Sequence, residues 1–219
     1  MIIRLGNFIS WLFLPLFIPV IALALTLYIP SEEKNLSHPS LYLLDKDFKD
    51  QIIFLFFVFG TLAPGISFLL MFRRKLISTL EMDNRTERTV PLLIVFSYCL
   101  ILFLLFFIKA PDGVLPIYIY AIPLSGTILS LVFLLINNWT KISLHAAGGG
   151  MITGYLCAFS AQQITFNYLL ILFCFLISGL IMSARLALNK HTPFQVYLGW
   201  ILAFVITFYC NFYYPFNLF

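Results

Sequence analysis

Along the chain the polar positions are few and clustered, and the apolar stretches between them are too long for the elements of a soluble core. A helix needs about 20 mostly apolar residues to cross a bilayer. Seven stretches of that kind are present: residues 5–30, 51–72, 89–108, 114–136, 142–159, 166–183 and 193–214. The polar stretch SEEKNLSHPSLYLLDKDFKD separates the first two. KAPDG, whose Pro and Gly forbid a continuous helix, separates the third and fourth. The fifth is short and rich in Ala and Gly, which suits a helix packed closely by its neighbours. The first exceeds the apolar core of a signal peptide, and no A-x-A site follows it, so it reads as a retained span. The pattern predicts an all-α integral membrane protein, a bundle of about seven transmembrane helices forming one domain over residues 1–219.

Composition agrees: 62% hydrophobic residues against 10% charged lies outside the range of soluble proteins. Cys99, Cys157, Cys174 and Cys210 all fall inside spans without paired spacing, as buried thiols would. Alternating spans sort the loops onto two sides. The first side carries nine bases: Arg4, Arg73, Arg74, Lys75, Arg85, Arg88, Lys141, Arg185 and Lys190. The second carries four: Lys34, Lys46, Lys49 and Lys109. Short loops rich in Lys and Arg stay in the cytoplasm, which favours a cytoplasmic first side. If Arg85, Arg88, Lys141, Arg185 and Lys190 instead serve an anion, four bases remain on each side and the orientation is open.

The first side also holds groups capable of chemistry, at three loop-to-helix junctions. DNRTERTVP places Arg85 and Arg88 three residues apart before the third span, KISLHAAGGG places Ser143 and His145 at the start of the fifth, and ARLALNKHTPFQ places Arg185 and His191 between the sixth and seventh. Taken singly, each has a plain explanation. An Arg at a span end reaches for headgroups, a lone His packs or is solvated, and a Gly run lets helices approach. Thr192, Pro193 and Gln195 likewise have the spacing of a capping box. The convergence of two histidines and three arginines on one side is what the plain readings leave unexplained. A Mg²⁺-dependent transferase would need clustered carboxylates, and the first side offers only Glu81, Asp83 and Glu87. The G-x-S-G setting expected of an intramembrane serine protease does not occur.

In order and spacing these residues resemble the type 2 phosphatidic acid phosphatase (PAP2) superfamily, whose motifs are K-x6-R-P, P-S-G-H and S-R-x5-H-x3-D. The third motif is best kept: Arg185 and His191 hold their spacing, while Ala184 replaces the serine and Gln195 the aspartate. The second survives as ISLH, keeping Ser143 and His145. The first survives as RTERTVP, with Arg88 followed by Pro91 and with Glu81 where the lysine would fall.

The resemblance implies a six-helix core over residues 51–219, with residues 1–50 as an added span and polar loop. It implies hydrolysis of a lipid or polyprenyl phosphate or diphosphate, with neither metal nor other cofactor, in a bacterial inner (cytoplasmic) membrane. His191 would be the nucleophile, forming a phosphohistidine, and His145 the general acid and base. Gln195 would orient His191 or merely cap its helix. Arg185, Arg88, Arg85 and Ser143 would bind the phosphate. The expected partners are the lipid substrate and the bilayer, with no nucleic acid. The missing lysine and aspartate also fit a second expectation, a decayed scaffold or lipid-binding subunit that keeps the bundle without catalysis.

Overall fold

The computed structural model describes residues 2–34, 40–82, 84–110 and 115–214; Asp83 and the Pro-Asp-Gly of the KAPDG turn lie outside them. Within the described residues the helices are α1 (Ile2–Leu12), α2 (Ile18–Tyr28), α3 (Lys46–Phe57), α4 (Ala63–Arg73), α5 (Thr89–Lys109), α6 (Ile117–Ile136), α7 (Leu144–Ala161), α8 (Leu169–Ala187) and α9 (Pro193–Tyr213). Among the described residues, six helical stretches are long and apolar enough to cross a membrane: Ile3–Tyr28, Lys46–Arg73, Thr86–Lys109, Ile117–Ile136, Leu169–Ala187 and Pro193–Tyr213. The protein is therefore an all-α integral membrane protein, with α7 as the seventh helix of the arrangement.

Helix α7 differs from the six for a physical reason. It contains His145 and four glycines, and thirteen of its eighteen residues are buried by protein. Its small residues bring backbones together, as the Ala/Gly composition leads one to expect. A Cβ at Gly150 would strike the carbonyl oxygen of Trp200, and one at Gly154 that of Phe204, both on α9. A Cβ at Gly149 would lie 2.8 Å from Ser178 Oγ on α8. Helix α8 shows the opposite design. It buries Cys174, Ser178, Ile181 and Arg185 toward the bundle and exposes Leu172, Phe173, Leu176 and Leu180 on its outer face.

The first two spans are not straight. Pro15 lacks an N–H and forces Leu14 into an extended conformation with ψ 130°, so the expected single first span divides into α1, a short 3₁₀ turn Pro15–Phe17 and α2. Helices α3 and α4 are joined by a π-helical turn, Val58–Leu62. Thr61 Oγ1 in that turn donates to Leu16 O at 2.7 Å and so pins the two irregular turns together. At the far end of the bundle, β1 (Glu32–Glu33) pairs antiparallel with β2 (Gln163–Thr165). All four cysteines are free. Cys174 and Cys210 are buried, but Cys99 and Cys157 are only partly so, contrary to the expectation for all four.

Candidate functional site

The three polar junctions meet through the Arg88 side chain and a backbone hydrogen bond. Arg88, in the turn Thr86–Arg88 that leads into α5, is 4% exposed; its Nε donates to Met82 O at 2.8 Å and its Nη1 to Ile142 O at 2.6 Å. Ser143 N donates to Gln195 O at 3.3 Å, which ties the start of α7 to the start of α9. Gly199 makes this approach possible, since a Cβ there would lie 2.9 Å from Ser143 O.

The five residues between Arg185 and His191 are occupied by one helix ending and the beginning of the next. Asn189 adopts φ 52°, Lys190 N donates to Arg185 O and Asn189 N to Leu186 O, a Schellman ending that turns the chain out of α8. Thr192 then caps α9. Its hydroxyl accepts from Gln195 N at 3.4 Å, and Gln195 Oε1 accepts from Thr192 N at 3.3 Å, a complete capping box. The same Oε1 lies 3.2 Å from His191 Nδ1, and Gln195 Nε2 donates to Thr140 Oγ1 at 3.3 Å. Gln195 thus both caps the helix and contacts the imidazole. Because Oε1 is an acceptor, Nδ1 carries the proton of neutral His191 and Nε2 is left with its lone pair. Burial first, then the charges of Arg88 and Arg185, lower the His191 pKa to about 3, so the ring is neutral at pH 7.

His191, His145, Arg88 and Arg185 border one cavity of about 310 Å³. Ser10 and Glu81 share its polar end, and its body runs into the bundle between apolar and helix-breaking residues, among them Pro15, Phe56, Gly60, Pro64, Pro123 and Phe133. Proline and glycine make room here, because the broken spans leave space that regular packing would fill. The polar end and apolar body match the shape of an amphiphile.

Two of the residues expected to contact phosphate, Ser143 and Arg85, do not line this cavity. Ser143 is fully buried and its Oγ accepts from Ala146 N at 3.4 Å as the N-cap of α7, so the hydroxyl serves the helix start. Arg85 is exposed; its carbonyl accepts from Asn137 Nδ2 at 3.1 Å, and its side chain is not among those lining the cavity.

Two residues outside the expected set of site residues enter the site. Ser10, on the helix expected to be an addition, places its Oγ 3.2 Å from Arg185 Nη1 and its carbonyl 3.1 Å from His145 Nε2. Gly6, one turn earlier, lets α1 lie against Leu188 beyond α8. A hydroxyl within an apolar run has no periodic signal, and only the Gly6/Ser10 spacing before Pro15 hints at a docked face. The other is Glu81, whose Oε2 lies 3.1 Å from Arg185 Nη2 and 3.6 Å from Lys190 Nζ.

The model of the PAP2 superfamily matches residues 136–218, the segment that holds His145, Arg185, His191 and Gln195. No curated protein and no solved structure matches the chain.

Proposed function

We propose, from the match of the PAP2 superfamily model to residues 136–218, that the chain is a metal-independent phosphatase of membrane lipids, acting on a lipid or polyprenyl phosphate or diphosphate. The observation that carries this reading is the shared cavity, with two imidazoles and two buried guanidiniums at one end and an apolar body at the other. Arg88 and Arg185 would disperse the charge on the phosphoryl oxygens. Nε2 of His191 attacks phosphorus while the ester P–O bond breaks, and the leaving oxygen takes a proton from His145. Water, deprotonated by His145, then cleaves the P–N bond of the phosphohistidine and frees phosphate. Gln195 holds the nucleophilic tautomer without supplying the carboxylate charge that the motif's aspartate would bring. The tail lies in the apolar body, open to the bilayer of a bacterial inner membrane. Residues 51–219 form the catalytic core in this reading, and residues 1–50 complete its mouth through Ser10.

The test is phosphate release from a panel of lipid and prenyl phosphates by the purified chain in detergent with EDTA present. Release is expected, and His191→Ala should abolish it. Full activity in that variant would remove His191 as nucleophile. The carboxylate of Glu81 on Arg185 favours the second reading, a non-catalytic lipid-binding member, and absence of turnover across the panel would favour it further.

A further inference from the structure

Arg185 is 2% exposed, so its charge must be matched inside the protein. Its two terminal nitrogens are the fork that would grasp two phosphoryl oxygens. In the structure they hold the Ser10 hydroxyl at 3.2 Å and the Glu81 carboxylate at 3.1 Å. An anion therefore already stands on the cation of the site. It stands there where the resemblance would put a lysine, a reversal of charge at the mouth of a phosphate pocket.

Glu81 is also placed to leave. Its side chain is 34% exposed, against 2% for that of Arg185, and Lys190 Nζ, itself 32% exposed, lies 3.6 Å from the same Oε2. Glu81 sits in the non-helical segment between α4 and the Thr86–Arg88 turn. Buried Ile77 and Met82 anchor that segment, and Glu87 accepts from Ser78 N at 2.8 Å. The loop is held, so a rotation of one side chain exchanges its partner.

We infer that Glu81 is a built-in competitor for the phosphate: it occupies Arg185 when no anion is bound and is handed to Lys190 when the phosphate arrives. The inference rests on Arg185 being the phosphate cation of the proposed function. It assigns Glu81 and Lys190 to specificity. The site keeps its buried guanidinium matched while empty, and it admits only ligands whose anionic group outcompetes a carboxylate. Lys190 favours binding indirectly, by receiving Glu81.

The test uses orthovanadate, titrated calorimetrically into the full-length chain in detergent. A site freed of its competitor gains affinity by the inverse of the fraction of time it was open, so Glu81→Gln should tighten vanadate about tenfold. Lys190→Met should weaken vanadate about fivefold when Glu81 is present and leave it unchanged in the Glu81→Gln background. A Lys190 that simply attracts the anion would instead weaken binding in both backgrounds, and that result overturns the handover. If Glu81→Gln does not fold, Glu81→Ala supplies the second background for the Lys190 comparison. Lipid phosphate hydrolysis with unchanged or weaker vanadate binding in Glu81→Gln overturns the competitor and leaves the phosphatase standing. Tighter vanadate binding without hydrolysis of any lipid keeps the competitor and removes the phosphatase. No vanadate binding by either protein overturns the inference.

Discussion

Gln195 carries two tasks with one oxygen. Its Oε1 takes the Thr192 N–H that starts α9 and faces His191 Nδ1, so capping the helix and setting the tautomer are one arrangement. A carboxylate of the same length would keep both contacts and add charge, and charge-assisted hydrogen bonds are roughly twice as strong as neutral ones. Gln195→Glu is therefore expected to raise kcat on a lipid phosphate about tenfold, as positive charge develops on the imidazole. Gln195→Ala should lower activity and also cost about 1 kcal/mol of stability through the lost cap. Steady-state kinetics with thermal unfolding in detergent separates the effects, and an inactive Gln195→Glu would argue against His191 as nucleophile. The pH dependence follows from the same neighbourhood. His191 falls from an ordinary 6.5 to about 3 because burial, Arg88 and Arg185 all oppose its charge. An unfolded chain binds this proton more readily, so the stability that depends on a neutral His191 is complete above about pH 6.5 and is lost as the pH falls toward 3.

At the scale of the elements, α7 and α9 meet through missing side chains. Gly150→Ala or Gly154→Ala would force a methyl against the carbonyl of Trp200 or Phe204. Each change is expected to cost about 1–3 kcal/mol, as overpacking does. Gly179→Ala, with nothing within 4 Å of the added methyl, should be neutral or slightly stabilising. Thermal unfolding in one detergent compares the three, and equal behaviour would mean that α7 and α9 pack less closely than described. The glycine run of α7 was legible as a packing face because composition alone carries that information. The seven apolar stretches were legible for the same reason. What direction the chain takes inside a stretch was not. Pro15 is plain to see, but an apolar run does not show that the half before it lies along α8 and brings Ser10 to Arg185. The pairing of Glu81 with Arg185 was hidden as well, because 104 residues separate them and only the folded bundle closes that distance.

For the molecule as a whole, residues 2–34 are tied to the rest at both ends, by Ser10 on Arg185 and His145 at one and by the β1–β2 pairing at the other. The second tie is sensitive to pH. Burial raises Glu33 from 4.5 to about 7, and its hydrogen bond with the Gln163 side chain offsets only part of that. The folded carboxyl holds its proton between these values while the opened strand releases it. The hairpin's stability is therefore complete below about pH 4.5 and declines as the pH rises through 7. Amide exchange at residues 32–34 and 163–165, corrected for its intrinsic rate, should accelerate between pH 6 and pH 8, and Glu33→Gln should remove the change. An unaltered pH profile in that variant would exclude Glu33 as the titrating group. The sheathed helix α7 has a consequence for how the protein is made. Four glycines and a histidine leave it poorly suited to lipid, and thirteen of its eighteen residues are covered by neighbours that include α8 and α9, which emerge later from the ribosome. The helix that presents His145 therefore settles in the bilayer only once those later partners are there to receive it, so the site is completed only after α9 has been made.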